Sequence, residues 1–321
     1  MKVAAPEAAR EWLAVQVERL RSLNARPRIV FPEGGDTRVR QAAEWLRRDG
    51  LVTPILLNGI APQEPRYADL YFERRRVKGV TEAEAADTAR LPLYRAALMV
   101  AAGDADGFVG GAVNTTAETV RASFQCIGPA PGVRTVSSCF LVAVQDRAFG
   151  RDGLLTFSDC AIVIEPTADE LADIAISAAA STRALIGAEP AVALLSFSTK
   201  GSARHTSVDK VVSALEILRE RAPELNADGE LQADAAVIAT VGQFKAPGSQ
   251  VAGHANTLIF PSVESGNIAV KLVERLGGAV TLGPFLQGLA KPANDLSRGC
   301  SADDIYASAV VTALQAIHAA I

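Results

Sequence analysis

Three short stretches of this 321-residue chain bring hydroxyls, flexible turns and fixed charge close enough to do chemistry. The first is Gly110-Gly111-Ala112-Val113-Asn114-Thr115-Thr116. It follows an apolar run, where parallel α/β folds bind ligands, because the next helix offers free N–H groups to an anion. It is not G-x-G-x-x-G, so the dinucleotide fingerprint is absent. Thr115 and Glu118 also spell a capping box, which by itself explains the stretch better. The second stretch is Ser196-Phe197-Ser198-Thr199-Lys200-Gly201-Ser202, whose order rules out a Walker A loop. Its hydroxyls and lysine around one glycine suit a phosphate or acyl phosphate as well as they suit a polar turn. The third runs from Asn294 to Asp304 and holds Ser297, Arg298 and Asp304. An arginine fork, a hydroxyl and a carboxylate are what an anionic transition state needs. Here too a plain reading exists, since Ser301 and Asp304 fit an S-x-x-D cap and Arg298-Gly299 fits an exposed turn.

The run Arg74-Arg75-Arg76-Val77-Lys78 stands out in a chain of net charge −4. Such a run is ordinarily a solvated helix face; the alternative is a clamp for a polyphosphate, which arginine grips bidentately. His205, His254 and His318 are far apart and make no metal site unless the fold gathers them. Cys126, Cys139, Cys160 and Cys300 show neither C-x-x-C nor zinc spacing, so no disulfide scaffold or structural zinc is indicated. With aromatics at 5% and no excess of positive charge, neither nucleic acid nor an anionic membrane is an expected partner. Charges run through the first twenty residues, unlike a secretory signal. The longest charge-free stretch, Ala246–Val263, is broken by Pro, Gly, His and Asn and suits no membrane span. The composition fits a cytoplasmic enzyme.

The elements that must position these residues alternate. Apolar runs at Arg28–Glu33, Pro54–Leu57, Gly107–Val113, Val133–Val144, Ala191–Phe197, Ala235–Thr240 and Thr257–Pro261 predict strands. Helical spacing is predicted over Asp36–Arg48, Asp169–Ile186, Val208–Arg221 and Asn267–Leu276, and Ile305–Ile321 reads as a buried or interface helix. Strand–helix alternation predicts parallel sheets covered on both faces. Hydrophobic residues at 49% can fill two cores, and the apolar pattern is interrupted near Val144–Gly153.

Taken in order, several strings resemble the phosphate acetyltransferase family. They are Arg28-Ile-Val-Phe-Pro-Glu-Gly, Leu195-Ser-Phe-Ser-Thr-Lys-Gly-Ser-Ala, Ala246-Pro-Gly-Ser, Val251-Ala-Gly, Gly283-Pro-Phe-Leu-Gln-Gly-Leu-Ala-Lys-Pro and Asn294-Asp-Leu-Ser-Arg-Gly-Cys. The resemblance runs from about Pro27 to the C-terminus. It implies a two-domain α/β fold shared with isocitrate and isopropylmalate dehydrogenases, with the site in the cleft between domains. Residues 1–147 and 295–321 would form one domain and 148–294 the other, usually in a homodimer. The implied reaction is acetyl-CoA plus phosphate giving acetyl phosphate and CoA, with butyryl or other acyl specificity, or a silent acetyl-CoA-sensing module, as alternatives.

The resemblance also implies roles. The family's base falls on Asp304, its transition-state arginine on Arg298 and its positioning serine on Ser297. Its arginines for CoA fall on Arg75 and Arg121, and phosphate or acyl contacts fall on Asn114, Thr115, Thr116, Ser198, Thr199, Lys200 and Ser202. Asn114 stands where many members carry His. An acyl phosphate is already activated, so no metal or organic cofactor is expected. Asp304 would take the thiol proton and the thiolate would attack the carbonyl carbon directly, with Arg298 on the phosphoryl oxygens. A covalent acetyl-enzyme through Cys160 or Cys300 is the competing route.

Overall fold

Strand and helix ends follow local chemistry. Asp36 caps its helix by accepting the N–H groups of Arg38 and Val39, and Thr81, Thr115 and Thr167 each open a helix with a full capping box. The computed structural model describes residues 6–319, of which 318 and 319 contribute backbone only. Its contacts group Leu13–Gly132 with the segment from Leu289 onward as a first unit, and Val133–Gly288 with the residues up to Trp12 as a second.

The chain enters through α1 (Glu7–Arg21) and continues in the first unit with β1 (Arg28–Phe31), α2 (Thr37–Arg48), β2 (Thr53–Leu56) and α3 (Pro65–Arg75). Next come α4 (Glu82–Thr88), α5 (Pro92–Ala102), β3 (Gly107–Gly110) and α6 (Thr116–Cys126). The second unit holds β4 (Ser137–Ala143), β5 (Leu154–Ser158), α7 (Ala168–Ile186), β6 (Val192–Leu195), α8 (Thr206–Arg221) and β7 (Ala227–Leu231). It closes with α9 (Ala233–Val237), α10 (Ala239–Lys245), β8 (Thr257–Ile259), α11 (Val263–Arg275) and β9 (Val280–Gln287). The first unit then regains β10 (Ala293–Asp295) and α12 (Ala302–Ala319).

Strands of the first unit run in the order β2-β1-β3-β10, all parallel. β3 is bare of side-chain bulk where α12 crosses it, for a Cβ on Gly107 would lie 2.6 Å from the Thr312 methyl. In the second unit the order is β9-β4-β5-β8-β6-β7, antiparallel for the first three and parallel thereafter. The expectation of purely parallel sheets therefore holds for one unit only.

Two sequence expectations change. The interruption at Val144–Gly153 is the turn of the β4–β5 hairpin, with Ala143 opposite Leu154. The units accordingly part before β4, at Gly132/Val133, and again at Gly288/Leu289, rather than at 147/148 and 294/295. The run Ala235–Thr240 forms parts of α9 and α10, not a strand. The strand beside β6 is instead the polar Ala227-Asp-Gly-Glu-Leu231, where Gly229 packs so closely that a Cβ would lie 2.9 Å from that of Leu194. Among the described residues no helix is long and apolar enough to cross a membrane.

Candidate active site

The loop after β3 looks in sequence like an anion cradle, and it is one, but its anion is built in. Glu33, buried two residues past the end of β1, accepts the N–H of Ala112 at 2.7 Å on Oε2. Its Oε1 accepts the N–H groups of Val113 and Asn114 and the Asn114 side-chain amide at 2.7–2.9 Å. Asn114 is therefore turned toward Glu33. Thr115 and Glu118 form the capping box of α6. The Thr116 hydroxyl points inward and donates to Asp295 Oδ2 at 2.6 Å.

Asp295 ends β10 beside that loop. Burial pushes its carboxyl up to about 6, with the negative charge of Glu33 adding to the rise and the Thr116 and Thr119 hydroxyls opposing it. From Asp295 the chain turns out to solvent, leaving Ser297, Arg298 and Gly299 exposed. The Arg298 guanidinium makes no hydrogen bond or ion pair among the described residues. Ser297 Oγ accepts the N–H of Gly299 at 3.3 Å, which leaves its own proton free to donate.

Asp304 lies in the first turn of α12 and does serve as a cap: its Oδ2 accepts the Ser301 N–H and hydroxyl, both at 2.8 Å. Its Oδ1 has no partner among the described residues. The same carboxylate can thus hold the helix with one oxygen and act with the other.

Arg38, in the first turn of α2, braces the turn from beneath. It donates to the carbonyl oxygens of Arg298, Cys300 and Ala112, each at 2.9 Å. Its remaining N–H groups pair with Asp36 at 2.9 and 3.1 Å, which holds the Asp36 carboxyl below the usual range. All five guanidinium donors are taken.

The basic run is not uniform. Arg74 donates to the Ile127 carbonyl at 3.0 Å and Arg76 pairs with Glu73 at 3.1 Å, so these two are structural or solvated. Arg75 is half-buried, and its Nε is buried without a partner. Arg121 stands exposed on α6. Burial pushes up the hydroxyl of the half-buried Tyr94, while the charges of Arg121 and Arg75 pull it down. Both arginines thus lie within electrostatic reach of the same tyrosine.

In the second unit the 198–203 loop is also filled from within. Ser198 is fully buried, donating to Glu230 Oε1 at 2.7 Å and accepting from the Ala203 N–H at 3.0 Å. Glu230 also accepts the Gly201 N–H at 2.8 Å. Ser202 Oγ accepts the Thr199 N–H at 3.0 Å, and Thr199 exchanges hydrogen bonds with Gln232. Lys200, in the left-handed region at φ 49°, pairs with Asp228 and donates to the Gly229 carbonyl at 2.8 Å. None of Ser198, Thr199, Lys200 and Ser202 is presented as an unpaired donor: the β7 carboxylates Glu230 and Asp228 take Ser198 and Lys200, Gln232 takes Thr199, and Ser202 pairs with Ser198. Sequence reading missed these carboxylates, and also Arg38 and Asp295. Among the described residues no cluster could hold a metal, and the His318 side chain lies outside them.

Residues 59–313 match the family described as "Phosphate acetyl/butaryl transferase". A phosphate acetyltransferase of Acetivibrio thermocellus is 44% identical over 310 residues, covering 90% of this chain and 93% of the relative. The crystal structure of a phosphotransacetylase from Streptococcus pyogenes superposes with a TM-score of 0.89 at 41% identity, covering 96% of this chain and 99% of that one. A structure described as a 4-hydroxythreonine-4-phosphate dehydrogenase from Salmonella typhimurium shares the fold, with a TM-score of 0.53 at 11% identity over 91% of this chain and 100% of its own. The chain belongs to the phosphate acetyl/butyryl transferase family.

Proposed function

We propose that the chain is a phosphate acetyltransferase that moves an acetyl group reversibly between CoA and phosphate by direct attack in a ternary complex. Asp304 Oδ1 takes the thiol proton of CoA. The thiolate attacks the carbonyl carbon of acetyl phosphate, the C–S bond forms, and the C–O bond breaks with its electron pair leaving on phosphate. Arg298 pairs with the phosphoryl oxygens while Ser297 donates a hydrogen bond to the reacting group. The observation that carries this reading is the turn Ser297–Asp304, which presents a guanidinium, a hydroxyl proton and a carboxylate oxygen that have no partner among the described residues. The activated acyl phosphate needs no metal or organic cofactor.

The cysteine chemistry favours direct transfer. Burial raises the thiols of Cys160 and Cys300, and Cys160 is fully buried, so neither supports the thiolate a covalent route needs. Arg75 and Arg121 suit the phosphates of CoA. A homodimer is supported by the row of Ile268 and Leu272 on α11 and Leu276 just past its end, exposed at 52, 50 and 81%. The deciding experiment is CoA release from acetyl-CoA on adding phosphate, with butyryl-CoA in parallel. Asp304→Asn retains an oxygen for the Ser301 cap and loses the base, so kcat should fall by about 100-fold or more. Near-normal turnover would remove Asp304 from the role.

A further inference from the structure

The end of β10 carries a buried carboxylate that this mechanism does not use. Asp295 is 2% exposed, and among the described residues its Oδ1 has no hydrogen-bond partner while Oδ2 holds the Thr116 hydroxyl. An acceptor buried without a donor works against folding. The surroundings are shaped to admit it nonetheless. Gly111 sits at φ +102°, and a Cβ there would come within 2.3 Å of Asp295 Oδ1. The next residue, Leu296, donates its N–H to the Gly110 carbonyl at 2.7 Å.

Asp295 and Leu296 thus fasten the start of the exposed turn to the 110–116 loop, just ahead of Ser297 and Arg298. Thr116 is the first residue of α6, so the hydrogen bond joins that helix end to the turn. Arg38 braces the turn only from Arg298 onward, through the Arg298 and Cys300 carbonyls. On the entry side Asn294 is tied to Thr312 and Gln315 of α12 at 2.8 and 2.7 Å, and the tie to the 110–116 loop is the Asp295 carboxylate.

We propose that Asp295 is a positioning residue for the acyl transfer: its bond to Thr116 sets where Ser297 and Arg298 stand against the N-terminus of α6. The inference rests on the assignment of Arg298 to the reacting phosphate. A group held by its backbone is displaced when the backbone is released, and a misplacement of about 1 Å costs on the order of 100-fold in rate. Asp295→Asn keeps the shape but offers Thr116 a neutral acceptor, which holds a hydrogen bond less strongly than a carboxylate. Thr116→Val removes the donor at equal volume, whereas Thr116→Ser keeps the hydroxyl.

The test is steady-state kinetics of Asp295→Asn, Thr116→Val, Thr116→Ser and Arg298→Ala, with thermal unfolding of each. The expected result is a kcat loss of about 10- to 100-fold in Asp295→Asn and Thr116→Val, with KM for CoA within about twofold and Thr116→Ser near wild type. Should Asp295→Asn fail to fold, the Thr116 pair decides by itself. If Arg298→Ala is inactive but Asp295→Asn and Thr116→Val turn over normally, the proposal is overturned. A rise in KM for CoA matching the kcat loss, or Thr116→Ser as impaired as Thr116→Val, overturns it too by showing general disruption. Normal turnover by Arg298→Ala would instead remove the assignment underneath it.

Discussion

The Arg38 guanidinium donates to the carbonyl oxygen of Arg298 at 2.9 Å, across 260 positions of sequence. One arginine therefore holds the backbone of another whose own side chain makes no hydrogen bond or ion pair among the described residues. The division of labour follows from geometry, since a planar fork offers five donors in fixed directions, whereas an ammonium offers three from a single atom.

Replacing Arg38 should accordingly affect both folding and rate. Arg38→Ala strands three carbonyls and leaves the Asp36 carboxylate with only its two backbone cap N–H groups, a loss of about 2–3 kcal/mol at a partly buried site. Arg38→Lys keeps the charge and should recover little of the kcat. Urea unfolding and kcat measured on both variants check this. A lysine variant with wild-type turnover would reduce Arg38 to a source of charge.

Much of the turn chemistry was legible because it is local. The Thr115 and Ser301 caps, and the nearness of Ser297, Arg298 and Asp304, are spelled within a few residues. What was illegible depends on partners brought from afar. Glu33 lies 79 positions before Ala112, and Thr116 lies 179 before Asp295, so nothing nearby marks either carboxylate as a loop filler. β7 was missed for a related reason. Asp228-Gly229-Glu230 lacks the apolar alternation of a strand because its carboxylates serve the 198–203 loop and Lys200 rather than a core. The short run at Ala235 was misread because a few apolar residues in a row do not distinguish strand from buried helix.

Arg75 and Arg121 should act on CoA rather than on the acyl group. Grip on a remote phosphate stabilises ground state and transition state alike, so each Arg→Ala should raise KM for CoA by about tenfold or more. KM for acetyl phosphate should not move, and any fall in kcat should be the smaller effect. If Arg75→Ala left CoA kinetics untouched, the solvated-face reading of the basic run would extend to it.

The apolar row on α11 predicts a test of assembly. Leu272→Glu puts a charge in the middle of the Ile268–Leu276 row, where a self-complementary interface cannot tolerate two copies of it. Sedimentation should show wild-type dimers and variant monomers at the same concentration. A wild-type monomer, or a variant dimer, would place the interface elsewhere or abolish it.

The last prediction takes Asp295 as a stability switch. Its carboxyl titrates near 6 in the folded protein, against an ordinary value of 3.8. The folded state therefore keeps a proton that the unfolded chain releases over that interval. The associated stability is fully present below the ordinary value and is lost as pH rises through about 6. For a group only 2% exposed, a shift of this size is on the order of 3 kcal/mol. Among the described residues the ionised form meets no donor at Oδ1 and faces Glu33, while the Thr116 hydroxyl relieves it at Oδ2. Asp295→Asn removes the titration. Unfolding measured at pH 5 and pH 8 should show the variant gaining on wild type at the higher pH, even though its turnover is predicted to be lower. Such a split is expected where a site retains a strained charge for the geometry it imposes. A stability difference that stayed constant between the two pH values would show that Asp295 does not titrate in this range.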